Sequence, residues 1–132
     1  METDTRDLFL LMAGVSLLIG ALSVANTMLI SVLERRHEIG VRRAVGATRG
    51  AILAQFLVES GVLGMAGGVV GGIAGLNVAI AVALAKGWTA AVSGWLIAAA
   101  PITGLVVGLT AGLYPAVKAG RVEPLAALTA YS

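Results

Sequence analysis

The stretch Ser31–Leu53, SVLERRHEIGVRRAVGATRGAIL, gathers five arginines and two glutamates between Glu34 and Arg49 in a chain that is only 12% charged. Long hydrophobic runs lie on both sides of it. Charge at that density does not belong in hydrocarbon, where one Arg, Lys or Asp at a helix centre costs about 2.5–3.5 kcal/mol on insertion. The stretch therefore marks a point where the chain leaves a membrane, and the runs flanking it are crossings.

Composition agrees: 58% of the residues are hydrophobic and the mean hydropathy is +0.97, outside the usual range for a water-soluble domain. From Leu8 to Leu33 there are 26 residues without a charge, from Ser60 to Ala85 another 26, and Gly87 to Val117 is a third run containing Pro101 and Pro115. About 20 apolar residues span the bilayer core, so each run is long enough to cross once. The expected fold class is all-α. One transmembrane domain is expected over 1–132, with helices over about 8–33, 50–85 and 92–117, a short amphipathic helix in 34–49 and a tail over 118–132. The first run is not read as a cleaved signal peptide, because its leader METDTRD is acidic and the run is long.

Much chemistry is excluded by what is missing. Without cysteine there is no disulfide or thiol chemistry, and His37, the single histidine, cannot build a metal site alone. No G-x-x-x-x-G-K-[ST] loop is present to cradle a nucleotide phosphate, and no nucleophile stands at a recognisable spacing from a base. We expect no catalytic residue, no bound metal, no cofactor held by this chain and no nucleic-acid partner.

Cations set the expected orientation, since loops kept in the cytoplasm carry an excess of Lys and Arg. Arg35, Arg36, Arg42, Arg43 and Arg49 fall in the loop, and Lys118 and Arg121 in the tail, against only Arg6 and Lys86 on the other side. The loop and carboxyl tail should face the cytoplasm, and the amino terminus and the 86–94 connection the outside, with Trp88 and Trp95 as interfacial anchors.

Glycines recur every four residues at Gly64, Gly68 and Gly72, at Gly67, Gly71 and Gly75, and at Gly104, Gly108 and Gly112. Such strips let helix backbones come close, which matters in lipid because association there rests on packing. Two readings follow: packing inside this chain, or against another membrane subunit.

Read as a helix over Leu33–Val45, the loop clusters Arg35, Arg36, Arg42 and Arg43 around Ile39, with Leu33, Gly40, Val41, Ala44 and Val45 on the far side. Gly46 and Gly50 punctuate its end, and Thr48 suits the N-cap of the next helix. Ile39 would then be an apolar knob on a cationic face. That face suits a topology signal, anionic lipid at about 1 kcal/mol per cation, or a cytoplasmic protein. Glu59 is expected at the membrane surface, partnered by a loop arginine; Asn26 is a candidate interhelical hydrogen-bond donor and Pro101 a kink.

The order of residues adds a resemblance. MLISVLERRHEIGVRRAVGATRGAILAQFLVES closely resembles the S-V-x-E-R-x-x-E-I-G-x-x-R-A-x-G-A segment of FtsX-like ABC transporter permeases, the group of MacB-type exporters and LolC/LolE-type lipoprotein releasers. The ending YPAVKAGRVEPLAAL is similar to that family's P-A-x-x-A-x-x-x-x-P-x-x-A-L, and the resemblance runs from about Leu8 to Leu128. It implies a permease of the bacterial cytoplasmic membrane whose loop is a coupling helix seated in a groove of an ATP-hydrolysing subunit. The implied partner contacts are Glu34, Arg35, Glu38, Ile39, Gly40, Arg42, Arg43, Gly46 and Ala47, with His37 a surface residue at a variable position. Also implied are a second permease subunit and ATP with magnesium on the partner ATPase. Family members place a further helix and an extracytoplasmic domain ahead of these three helices, whereas this sequence has seven residues before Leu8, as a truncated form, a split-gene half or a remnant would. Two other roles stay open: a scaffold regulating cell-wall hydrolases, and a small self-associating membrane protein without an ATPase.

Overall fold

The computed structural model describes residues 2–89 and 93–121. Its elements are α1 (Glu2–Glu34), α2 (Arg36–Ala44), α3 (Arg49–Lys86) and α4 (Gly94–Gly120). Three of them, α1, α3 and α4, are long and apolar enough to cross a membrane, and no strand occurs among the described residues. The expected class, an all-α membrane protein with three crossings, is the one observed.

Each long helix outruns its apolar core. The first begins at Glu2 rather than Leu8, and acidic residues such as Asp4 and Asp7 suit the positive end of its dipole. The 38 residues of α3 measure about 57 Å at 1.5 Å per residue, nearly twice a hydrocarbon core of about 30 Å. A charge ends the span without ending the helix, so Arg49–Glu59 continues α3 beyond the apolar run. In the expected tail, Lys118–Gly120 still belong to α4. Residues 122–132, and residue 92 where the third crossing was expected to begin, lie outside the described residues.

Glycine decides how α3 stops. Gly87 takes φ 66°, a left-handed conformation open to it at little cost. This lets the Trp88 N–H donate to the Ala83 carbonyl at 2.8 Å and the Gly87 N–H to that of Leu84 at 3.3 Å, the Schellman closure. Lys86 then lies over the Trp88 ring, 4.9 Å from its centroid. Exposed Trp88 and Trp95 thus sit at one end of the bundle.

Packing of α3 on α4 runs along two of the three glycine strips. A Cβ on Gly64 would overlap the Gly104 carbonyl oxygen and stand 2.7 Å from the Gly108 Cα. One on Gly104 would overlap the Gly64 oxygen and stand 2.9 Å from the Gly68 Cα. Substituents on Gly68, Gly108 and Gly112 would overlap the Ala100 oxygen, the Ser60 oxygen and the Ser60 Oγ, while one on Gly72 would lie 2.8 Å from the Ala100 Cβ. Backbone meets backbone here, so these strips pack inside the chain. By contrast, substituents on Gly67, Gly71 and Gly75 would meet nothing within 4 Å. Pro101 and Pro115 lie inside α4, which continues through both as one helix.

α1 joins this pair only near its carboxyl end. Met28 and Val32 are buried in a cluster with Ile39, Ile52, Phe56, Ala116 and Ala119, and Val24 borders it. Further up, Leu8, Phe9, Leu11, Leu18 and Leu22 are all more than half exposed. Asn26, expected to bond across helices, is exposed and makes no interhelical hydrogen bond among the described residues. The polar side chains of α1 turn back on their own helix: Ser16, Ser23 and Thr27 donate to the carbonyls of Met12, Ile19 and Ser23.

Candidate functional site

The core cluster lies where the charged stretch folds, and that fold is an elbow of two helices. Arg35, at φ −95° and ψ 12°, separates α1 from α2, yet its N–H still donates to the Ser31 carbonyl at 3.1 Å and its own carbonyl accepts from Ile39 at 2.9 Å. After nine residues α2 closes on Gly46, whose φ of 106° few other residues tolerate. Gly46 and Ala47 donate to the carbonyls of Arg43 and Arg42 at 3.1 and 2.9 Å, a second Schellman closure. Thr48 Oγ1 then accepts from the Ala51 N–H at 3.2 Å, the expected N-cap.

Two polar pairs tie the elbow to α3, and a third lies within α2. Arg35 Nη1 stands 3.5 Å from Glu59 Oε2, which gives Glu59 its expected arginine partner. Farther along, Arg42 donates from Nη1 to Gln55 Oε1 at 2.7 Å and pairs through Nη2 with Glu38 Oε1 at 2.6 Å. Arg35 meeting residue 59 and Arg42 meeting residue 55 fixes the direction: α2 runs antiparallel to the first turns of α3. The ion-paired side chains are a third to a half exposed, so each pair contributes about 0.2–1 kcal/mol.

Apolar burial does more, and here the expected geometry is corrected. Ile39 is not an outward knob: it is 3% exposed, packed in the cluster with Ile52, Phe56, Met28 and Val32. The arginines do surround it, but that face turns toward the bundle. Burying an isoleucine stabilises by about 1.5–3 kcal/mol, while long arginine stems let the guanidinium groups reach water on either side. Gly40, expected on the far side, is buried as well. What faces outward is Leu33, Val41, Ala44 and Val45, with Val45 84% exposed. Beside them lies a hollow of about 460 Å³ lined by Val41, Val45, Ala47 and Ala51 and edged by Arg42 and Gln55.

The remaining expected contacts divide accordingly. Glu34, Arg35, Glu38 and Arg42 are exposed around α2, Gly46 is exposed at its tip, and Arg43 and Ala47 are half-buried. Arg36, Arg43 and Arg49 carry no ion pair among the described residues. Gln55 was not anticipated; its one signal in sequence is an amide within the apolar flank Ile52–Leu57 of α3. No group of acidic or histidine side chains able to hold a metal occurs among the described residues.

A model of the FtsX-like permease C-terminal domain matches residues 10–124, which include the whole elbow, all of α3 and α4, and α1 from Leu10 onward. The chain belongs to the FtsX-like permease family. This permease domain is 44% identical over 116 residues to an uncharacterized ABC transporter permease, YknZ, of Bacillus subtilis, covering 88% of this chain and 29% of that protein. It is 46% identical over 119 residues to a macrolide export ATP-binding/permease protein, MacB, of Rhodopirellula baltica, covering 90% of this chain and 17% of the relative. To the MacB of Escherichia coli it is 43% identical over 123 residues, 92% of this chain and 19% of that one. The domain thus spans less than a third of the length of these relatives.

Proposed function

We propose that this permease domain couples ATP hydrolysis on a partner ABC ATPase to movement of its membrane helices, for export or extraction of a substrate or for signalling across the membrane. The observation that carries the reading is mechanical. The α2 elbow is tied to α3 by Arg35 and Arg42 and, through the Ile39 cluster, to all three long helices, and α3 meets α4 along backbone-to-backbone contacts. A push on the elbow then enters a pair of helices that move together. α1 joins α2 across the break at Arg35 and meets the others mainly at one end, so it is free to change its angle to them.

In this reading the elbow is a coupling helix on the cytoplasmic side of a bacterial plasma membrane, with the amino terminus outside. Glu34, Arg35, Glu38, Arg42, Arg43, Gly46 and Ala47 belong to the surface that meets the ATPase, while Ile39 and Gly40 act from beneath by fixing α2 to the bundle. ATP and magnesium are bound by the partner. The open strip at Gly67, Gly71 and Gly75, with nothing against it, suits a second permease subunit.

The test is a gentle detergent pull-down of the tagged chain from its native cells, beside the double variant Glu38→Lys with Arg43→Glu. Co-purification of a nucleotide-binding ATPase with the native chain, and its loss from the variant, is the expected result. An intact, membrane-inserted chain that brings down no ATPase would remove the mechanism.

A further inference from the structure

We infer that the elbow meets its ATPase through Val45 and the hollow beside it, and that the matching patch on the ATPase is apolar at its centre and acidic at its rim. This rests on the coupling reading above and specifies the side chains and chemistry of the contact.

Height above the membrane argues first. Glu59 is the last charge before the 26-residue apolar span, so it marks the edge of the hydrocarbon. From Glu59 back to Arg49 the continuous helix α3 rises about 15 Å at 1.5 Å per residue. The headgroup layer of one leaflet is only about 5–8 Å thick. Because α2 runs antiparallel to this segment, Val45 sits at the end farthest from Glu59, level with the first turn of α3. Even a helix tilted by about 40° carries it past the lipid headgroups. Lipid therefore does not cover Val45.

Exposure argues second. An 84% exposed valine, with exposed Val41 one turn away and an apolar hollow of about 460 Å³ between α2 and α3, stands where water would otherwise be. Val41 and Val45 beside an apolar hollow, on a segment outside the membrane, suit the small apolar centre of a protein contact. Its setting is cationic: Arg43 and Arg49 flank the tip without an ion pair among the described residues, and Arg42 edges the hollow. An apolar centre ringed by arginine is matched by an apolar centre ringed by carboxylates.

The test places a photo-crosslinking amino acid at Val45 or at Val58, which is 64% exposed but lies beside Glu59, in the chain expressed in its native cells. The expected result is a crosslink from position 45 to an ATPase peptide containing Asp or Glu, with lipid as the product from position 58. Val45→Asp should lower ATPase co-purification by about tenfold or more, the loss typical of a hot spot, while Val45→Leu retains it. Arg43→Glu with Arg49→Glu should also weaken it, with recovery when a carboxylate in the crosslinked peptide is changed to Lys. If the ATPase co-purifies but position 45 reaches only lipid, or position 58 alone reaches the ATPase, this inference fails and the coupling reading survives. A crosslinked peptide without acidic residues overturns the acidic rim, and absence of any co-purifying ATPase overturns both.

Discussion

Single atoms decide whether the α3–α4 pair closes. A methyl group on Gly104 has nowhere to go, because the Gly64 carbonyl occupies its place, whereas one on Gly71 enters open space. Gly104→Ala should therefore destabilise the detergent-solubilised protein by about 1–3 kcal/mol, the usual cost of overpacking. Gly71→Ala should leave the monomeric chain in detergent unchanged or raise its melting temperature, since alanine is the better helix former by about 1 kcal/mol and its methyl meets nothing within the chain. Thermal unfolding of the two variants side by side checks the contrast. At Gly46 the constraint is conformational: with φ at 106°, a Cβ meets no neighbour but does meet its own backbone. Gly46→Ala is expected to cost about 1–2 kcal/mol and to loosen the elbow, read as faster proteolysis between α2 and α3.

At the scale of the element, α2 shows what the sequence reveals and what it conceals. Its existence, its end at Gly46 and the Thr48 cap are legible because helix stops and caps are local chemistry. Which face turns inward is not local. The wheel correctly sets four arginines around Ile39, but a face with one isoleucine among guanidinium groups reads as surface until Ile52 and Phe56 are known to stand opposite it. Burial of that one side chain outweighs the expectation because the arginines lose little by reaching around it. Ile39→Ala should destabilise the elbow by about 2–4 kcal/mol, while Arg42→Ala and Gln55→Ala, removing an exposed pair, should each cost less than about 1 kcal/mol and show coupling of a few tenths in a double-mutant cycle. Hydrogen exchange of the α2 amides separates the two cases, since only Ile39→Ala should release them.

Over the whole molecule, three crossings were legible from uncharged runs alone, and the two strips that close α3 on α4 from glycine spacing. Sequence could not say that α1 would be the loosely held member, because its leucines look the same whether they face lipid or another helix. The structure packs α3 on α4 along backbone contacts and gathers the elbow and all three long helices at one buried cluster, which α1 reaches near its carboxyl end. The central claim is that elbow and pair move as one body when the partner ATPase closes. Spin labels at Arg36 and Val58 report the elbow helix α2 against α3, and labels at Leu18 and Val70 report α1 against α3, all four being exposed. Distances measured by pulsed electron paramagnetic resonance in the reconstituted complex, nucleotide-free and trapped after ATP hydrolysis, should show the first pair unchanged and the second shifted. A change in the Arg36–Val58 distance with Leu18–Val70 fixed would contradict the account.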